Sequence, residues 1–210
     1  MAKENVHNTE QKILKFAELE FLTKGFDGAR TTSIAKAAGV THAMLHYYFR
    51  TKELLFERFI EKKMSEIAPL MTCMIGNDDL PLIERIREAV SLHFDFVMNN
   101  PELPRFLINE ILPHPDRCES FVSNISDILT SFDTLQQEVN EASSKGELEH
   151  FNVLMLFQSI LSMNVFPALM SGLILGVLEQ KGLNSHDYMA LRKSENIEMI
   201  MRRITKKASL

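Results

Sequence analysis

Residues 31–55, TTSIAKAAGVTHAMLHYYFRTKELL, decide the fold. They contain two short helical segments, and Gly39 ends the first of them. Two helices joined by so short a turn cross at a steep angle, so small residues must lie where they touch, and Ala35 and Ala38 meet that need. The expected core of this pair is formed by the larger apolar residues Ile34, Val40, Leu45 and Phe49. The stretch therefore predicts a helix-turn-helix.

The segments on either side of this stretch are also typical of helices. Thr9 is placed to cap a first helix that Gly25 ends, and Thr31 and Thr32 offer hydroxyls for capping the second helix. A longer helix starts at Lys52. Further apolar stripes at three- and four-residue spacing predict helices at about 81–98, 106–112, 121–146, 151–178 and 185–206. We predict an all-α chain of about nine helices without a strand.

Composition excludes several classes of protein. The chain has 210 residues, of which 45% are apolar and 24% charged, and it contains only 8 Gly and 7 Pro. These values do not fit a disordered chain, a disulfide scaffold or an all-β sandwich. Cys73 and Cys118 have no C-x-x-C partner, and the N-terminus has no apolar secretion segment, so we expect a cytoplasmic protein.

Charge is unevenly distributed along the chain. The net charge is −5, but residues 1–63 carry 11 Lys and Arg against 8 Asp and Glu, whereas residues 64–210 carry 12 against 20. The basic end is therefore the N-terminal third, which also holds the helix-turn-helix pattern. A helix-turn-helix can also be a packing arrangement of two helices without any DNA contact. DNA binding is favoured here because the basic domain has a set of polar and charged side chains expected to be exposed, namely His42, Tyr47, Tyr48, Arg50 and Lys52.

Residues 151–178 contain no charged side chain, and their length alone would permit a membrane span. Polar residues recur among them, and the flanks lack the Lys and Arg bias that orients a span. We therefore expect a helix, or a pair broken at Pro167, that is buried on several sides with part of its cover supplied by a second subunit. Gly172 and Gly176 would let another helix approach closely.

The N-terminal part resembles the DNA-binding domain of the tetracycline-repressor (TetR) family of bacterial regulators. The resemblance rests on Gly25-Phe26 after the first helix, the Thr-Thr, Ile-Ala and Ala-Gly-Val of residues 31–40, and the Leu-x-x-Tyr-Phe and Lys-Glu-Leu-Leu of residues 45–55. It covers residues 9 to about 60. The remainder matches only in its helix count and in its apolar last helices.

The resemblance implies a set of DNA contacts. Threonines at the start of the second helix and Lys52 would bind phosphates, the start of the third helix would reach phosphates or base edges, and the tyrosines would contact backbone and base. His46 departs from the family, because most relatives have tyrosine there. The nine candidate contacts are Thr31, Thr32, Thr41, His42, Ala43, His46, Tyr47, Tyr48 and Lys52.

The resemblance also implies how the chain is divided. We expect a flexible arm at residues 1–8, the DNA-binding domain at 9–51, a connecting helix at 52–71 and an effector-binding and dimerisation domain at 72–210. A homodimeric repressor of this kind binds a palindromic operator and is released by a small hydrophobic or amphipathic effector. The candidate effector contacts, which could equally form an ordinary core, are His93, Phe94, Phe106, Phe132, Met155 and Phe157.

Other functions find less support in the sequence. His42 and His46 have the spacing of two zinc ligands, but no third ligand completes a set, so we predict no metal and no cofactor. No nucleotide-binding loop or hydrolase motif is present, and we predict that the chain is not an enzyme and has no membrane partner. The alternative function is an all-helical small-molecule-binding protein or a small helical enzyme without DNA activity.

Overall fold

A computed structural model describes the backbone of residues 2–72 and 80–206 and the side chains of residues 8–66, 80–126 and 129–206. These residues form eleven α-helices and one π-helical segment, and the described backbone contains no strand. The all-α prediction is confirmed. The helices are α1 Ala2–Gly28, α2 Thr31–Ala38, α3 His42–Phe49, α4 Lys52–Thr72, α5 Leu82–Asn99, α6 Glu102–Phe106, α7 Pro115–Asn124, α8 Ser126–Ser144, α9 Val153–Leu169, α10 Ser171–Gln180 and α11 Ser185–Ile204, with the π segment Leu107–Ile111 after α6.

Several predicted helix ends were wrong. α1 begins at Ala2, so Thr9 lies inside the helix and does not cap it, and no helix boundary separates residues 2–8 from the rest of α1. The stripe predicted over 121–146 is two helices that meet at Ile125, and the first of them, α7, begins at Pro115 and contains Cys118. Residues 73–79, and with them Cys73, lie outside the described residues.

The chain divides into two compact units. The first comprises Met1–Glu66 with Arg105–Asn124, and the second comprises Ile67–Pro104 with Ile125–Leu210. The sequence predicted one C-terminal domain from residue 72 onward. The 20 residues from 105 to 124 nevertheless cluster with the N-terminal helices, because their side chains pack there.

Phenylalanines form the core of the first unit. The ring of Phe21 lies edge-on to Phe56 at 5.0 Å and is stacked on Phe59 at 5.6 Å between centroids. Phe106 contacts both of the α4 rings, at 5.8 Å from Phe56 and 5.4 Å from Phe59. All four side chains are buried, so Phe106 belongs to the same aromatic cluster as Phe21 of α1 and the two phenylalanines of α4.

A charged contact also fixes residues 105–124 to the N-terminal helices. The regular path of α1 breaks at Gly25, which has φ 67°. The Glu110 carboxylate lies against Gly25, where a Cβ would collide with it, and accepts a hydrogen bond from the Phe26 N–H at 2.9 Å. Arg117 donates to the Glu110 carbonyl at 2.8 Å and lies over the Phe26 ring. The positive φ and this close approach both require glycine at position 25.

The second unit is built from α5, α8, α9 and α11 around an aliphatic core. Arg85 of α5 forms an ion pair with Glu138 of α8, and Lys193 of α11 donates to Asp95 of α5 at 2.6 Å. The core residues are Leu82, Ile86, Ala89, Val90, Phe132, Leu135, Val139, Ala142, Leu148, Phe151, Val153, Leu156, Ile160, Ile200, Met201 and Ile204. Each of the four helices contributes residues to this core, and the apolar contacts between these residues hold the helices together.

Three polar side chains are buried together in this unit. The Asn164 amide donates to the Val90 carbonyl at 3.1 Å and lies 3.0 Å from Nδ1 of His93. Asn196 in turn donates to the Asn164 oxygen at 2.9 Å. Because Asn164 donates to Nδ1, that atom accepts and the His93 proton is on Nε2. The network therefore joins α5, α9 and α11 through a neutral imidazole.

The uncharged stretch forms two helices rather than one. α9 ends at Leu169, two residues after Pro167, and α10 follows at an angle of 64°. The alternative of a broken pair is thus confirmed. Among the helices described, none taken singly is long and apolar enough to cross a membrane, whereas α9 and α10 reach that standard only as a bent pair.

Many apolar side chains of this region are exposed in the single chain, where the sequence predicts that a second subunit supplies part of the cover. Phe166 of α9 is 59% exposed, Leu173 of α10 is 63% exposed and Leu191 of α11 is 65% exposed. Leu154, Met155, Leu175, Val177 and Met199 on the same three helices are also exposed. A single chain therefore leaves an apolar surface on α9, α10 and α11 uncovered.

The buried imidazole predicts a pH-dependent stability. Burial lowers the pKa of His93 from 6.5 to about 4. Between these values the unfolded chain binds a proton that the folded chain does not, so the free energy of unfolding should fall on acidification, by up to about 3 kcal/mol. Urea denaturation across this pH range measures the loss.

The matched variants are His93→Gln, which keeps a hydrogen-bonding side chain but does not titrate, and His150→Gln at an exposed histidine. We expect a flatter pH dependence for His93→Gln and an unchanged one for His150→Gln. An equal pH dependence in all three proteins would contradict the assignment.

Candidate nucleic-acid interface

The corner between α2 and α3 has the geometry that its sequence predicts. Gly39 has φ 66° and ψ 32°, and its N–H donates to the Lys36 carbonyl at 3.1 Å while the Val40 N–H donates to the Ala35 carbonyl at 3.0 Å. This is a Schellman ending, in which glycine takes the left-handed position. Ala35 and Ala38 of α2 are both buried, and α2 packs against α3.

Helix α3 is fixed at its start and along its inner face. The Thr41 hydroxyl is the N-cap and accepts from the Met44 N–H at 3.1 Å. Leu45 and Phe49 are buried, so the opposite face of the helix is directed to solvent. That exposed face carries four of the predicted contacts, His42, Ala43, His46 and Tyr47. Tyr47 is the most accessible of the large side chains there, at 81% exposure.

The start of α2 differs from its prediction. Its N-cap is Arg30, in an extended conformation and without a side-chain cap bond, so neither threonine is the cap. The Thr31 hydroxyl instead lies 3.0 Å from Nε2 of His42, and Thr32 is exposed. The N–H groups of a helix's first turn have no partner within the helix, which makes this end suited to bind an anion.

Lys52 and Tyr48 are less free than the other candidates. The Lys52 ammonium donates to the Asp27 carbonyl at 3.2 Å and lies 4.7 Å from the centroid of the Phe26 ring. An ammonium has three N–H donors, so this contact leaves donors for a phosphate. Tyr48 is half-buried, with its ring 5.6 Å from that of Tyr47.

The charge of this region is uniformly positive. Residues 28–52 contain no aspartate or glutamate, and four cationic side chains lie among them, Arg30, Lys36, Arg50 and Lys52. Arg30 directly precedes α2 and Lys36 lies within it. Arg50 directly follows α3, and Lys52 is the first residue of α4. Arg30 and Lys36 were absent from the predicted contacts, although the 25-residue gap between Asp27 and Glu53 is a signal that would have found them. Such a surface attracts a polyanion.

The predicted effector contacts are not brought together. Phe106 belongs to the aromatic core of the first unit, and Met155 is 57% exposed. In the second unit Phe132 and Phe157 are in ring contact at 4.9 Å, while His93 is engaged by Asn164. A cleft of about 280 Å³ in the first unit is lined by none of the six; its walls are Phe26, Glu53, Phe56, Glu57, Ile60, Ile111, Asp116, Arg117 and Ser120.

A family comparison places the site in a known group. Residues 13–59 match the family model of bacterial regulatory proteins of the tetR family. Residues 13–59 thus form a tetR-family domain within this chain. All nine predicted DNA contacts fall within the residues that this tetR-family model matches.

The curated relatives bear the names of transcriptional regulators and of a nucleoid occlusion factor. The nucleoid occlusion factor SlmA of Mannheimia succiniciproducens is 30% identical over 111 residues, which are 52% of this chain and 51% of that protein. The HTH-type transcriptional repressor NicS of Pseudomonas putida is 28% identical over 107 residues, or 50% of this chain and 49% of NicS. The chain therefore spans about half the length of the curated relatives it matches.

Solved structures show the same fold over nearly the whole chain. HlyIIR, a hemolysin II transcriptional regulator, has a TM-score of 0.62 at 24% identity, covering 96% of this chain and 99% of HlyIIR. The fatty acid degradation regulator FadR of Bacillus halodurans has a TM-score of 0.62 at 18% identity, covering 91% of this chain and 97% of FadR. At these identities the likeness concerns the fold alone.

The cap of α3 leads to a stability prediction. Thr41→Ala removes the acceptor of the Met44 N–H, so it should lower the free energy of unfolding by about 1 kcal/mol. Thr41→Ser keeps the oxygen and should stay close to wild type. Thr32→Ala, at an exposed threonine that is not the cap, is the control. Equal denaturation midpoints for Thr41→Ala and Thr32→Ala would show that the cap contributes nothing.

Proposed function

We propose that this chain is a DNA-binding transcriptional regulator, a cytoplasmic repressor that binds a palindromic operator as a homodimer and is released by a small hydrophobic or amphipathic effector. The observation that carries the proposal is the exposed face of α3. It presents imidazole, phenol and methyl groups from a helix with a buried inner face, within 25 residues that contain four cations and no acid.

This face suits the major groove of DNA. A helix fits the groove, and imidazole and phenol groups can hydrogen-bond to base edges, while the Ala43 methyl permits close approach or contact with a thymine methyl. The cations and the free amides at the start of α2 would bind phosphates on either side of the groove. The Thr31–His42 contact supports a fixed relation between the phosphate-binding and base-reading groups.

The proposed dimer is supported by the exposed apolar surface of α9, α10 and α11. Phe166, Leu173 and Leu191 are each more than half exposed in the single chain. A second copy of the same surface would cover them in a symmetric interface. A palindromic operator requires two α3 helices on successive turns of the major groove, about 34 Å apart, and a dimer supplies two such helices.

The proposed effector would bind in the second unit. His93 is buried there with a neutral ring whose Nε2–H is not engaged by Asn164, and the neighbouring core is apolar. Such surroundings suit an apolar molecule with one hydrogen-bond acceptor. In this proposal the effector acts only through its different affinity for the DNA-binding and released states.

Selection from a random DNA pool tests the function directly. The full chain should enrich a palindrome, and its affinity for that operator should fall steeply with salt. Lys52→Ala should lower the slope of log affinity against log salt by about two per dimer, because each subunit loses one phosphate contact. Its effect should be the same for specific and unrelated DNA.

Two controls accompany this measurement. Lys181→Ala removes an exposed lysine of the second unit and should leave the slope unchanged. Denaturation of Lys52→Ala checks that loss of the Asp27 contact has not unfolded the first unit. Failure of the wild-type chain to enrich any sequence would overturn the proposed function, and an unchanged slope in Lys52→Ala would overturn only the role of Lys52.

The dimer can be tested at Phe166. Phe166→Glu would bury an unpaired charge in the proposed interface, at a cost of several kcal/mol, and should convert the dimer into monomers. Leu19→Glu alters an equally exposed apolar residue, at 56% exposure on α1, and should leave the dimer intact. Sedimentation at micromolar concentration measures both. A monomeric wild-type chain would contradict the assignment.

A further inference from the structure

The main-chain carbonyl and the ring of His46 both contact the backbone of Arg50, the residue that follows α3. Its carbonyl accepts the Arg50 N–H at 2.9 Å, and its ring Nδ1 lies 2.7 Å from the Arg50 carbonyl oxygen. Arg50 has φ 52°, and it is the one non-glycine residue with positive φ in the described part of the chain. Left-handed backbone is unfavourable for a residue with a Cβ. The His46 ring therefore has a local structural partner at an unusual backbone position.

This contact fixes which nitrogen of His46 carries the proton. A carbonyl oxygen only accepts, so Nδ1 must be the donor in the Arg50 contact. The neutral ring then has a lone pair on Nε2, at the end of the ring away from the main chain. Protonation adds a hydrogen to Nε2 and leaves the Nδ1–H bond to Arg50 in place. Nε2 can thus change from acceptor to donor without any rearrangement of α3.

A second imidazole lies next to His46 on α3. The His42 ring is edge to face with His46, at 4.4 Å between centroids, and its own Nε2 is 3.0 Å from the Thr31 hydroxyl. The tautomer of His46 is set by the Arg50 carbonyl, whereas the hydroxyl of Thr31 can donate or accept and sets none for His42.

Cations and phenols are the other ionisable groups on α2, on α3 and in the residues that lead to α4. Helix α2, which packs against α3, contributes Lys36 and is preceded by Arg30, and residues 47–52 contribute Tyr47, Tyr48, Arg50 and Lys52. Bound DNA would place the negative charge of its phosphates next to the ring.

We propose that His46 is a specificity-determining residue whose Nε2 reads a base edge, as an acceptor when neutral and as a donor when protonated. The inference rests on the proposed function. Cytosine offers only an amino donor in the major groove and therefore matches a neutral Nε2, whereas guanine offers only the acceptors N7 and O6 and therefore matches a protonated Nε2. The preferred base at one position of each half-site therefore changes with pH, while the rest of the operator stays the same.

The experiment is selection of DNA by the full chain from a random pool at about pH 8 and about pH 5.5, on either side of the ordinary histidine pKa of about 6.5. Operators that differ only at the responsive base pair are then compared by affinity at each pH. We expect the ratio of affinities, guanine over cytosine, to rise about tenfold on acidification, the size expected for one exchanged hydrogen bond.

Two variants separate His46 from its neighbour. His46→Gln offers both a donor and an acceptor but does not titrate, so its base preference should be the same at both pH values. His42→Gln removes the other imidazole and should keep the shift. A wild-type preference that does not change with pH, or a shift that persists in His46→Gln, overturns the inference while leaving the proposed function intact.

A measurement on the unbound wild-type chain does not depend on how the variants fold. Nitrogen-15 NMR of the imidazoles should show His46 with its hydrogen on Nδ1 at about pH 8, above the ordinary histidine pKa. A hydrogen on Nε2 overturns the inference. If no DNA sequence is enriched at either pH, both the proposed function and this inference are wrong. If an operator is enriched but its base preference is the same at both pH values, only this inference is wrong.

Discussion

The packing of α2 against α3 is the contact on which the proposed interface depends. Ala35 and Ala38 lack the bulk to hold the helices apart, and Gly39 takes a left-handed conformation that reverses the chain between them. This corner places the Thr31 hydroxyl within 3.0 Å of the His42 ring. With Leu45 and Phe49 buried behind it, α3 has only one face to present to solvent, and that face carries the polar groups.

The first unit joins this corner to distant sequence through a small number of polar contacts. Glu110 accepts from the Phe26 N–H, and Phe26 contacts both the Lys52 ammonium and the Arg117 guanidinium through its ring. The position of Lys52 thus depends on residues more than fifty positions away. A glycine at position 25 is what allows the Glu110 carboxylate to come so close.

The second unit has a polar network buried in its apolar core and an apolar surface exposed on its outside. Its interior combines an aliphatic core with the His93, Asn164 and Asn196 network, in which burial keeps the imidazole neutral. Its outer side leaves Phe166, Leu173 and Leu191 exposed. Apolar area of this kind costs free energy in water and is reduced by association, which is consistent with a subunit interface rather than with a second buried layer.

The sequence by itself determined the helical class, the α2–α3 corner and the exposed face of α3, because glycine stops and apolar periodicity act over a few residues. Tertiary structure alone decided the rest. Residues 105–124 cluster with the N-terminal helices through Phe106 and Glu110, and the six predicted effector contacts separate between the two units. Spacing along a helix gives the face of a side chain but not the partner it meets across the fold. For the same reason the Arg50 carbonyl, which sets the tautomer of His46, is visible only in the folded chain.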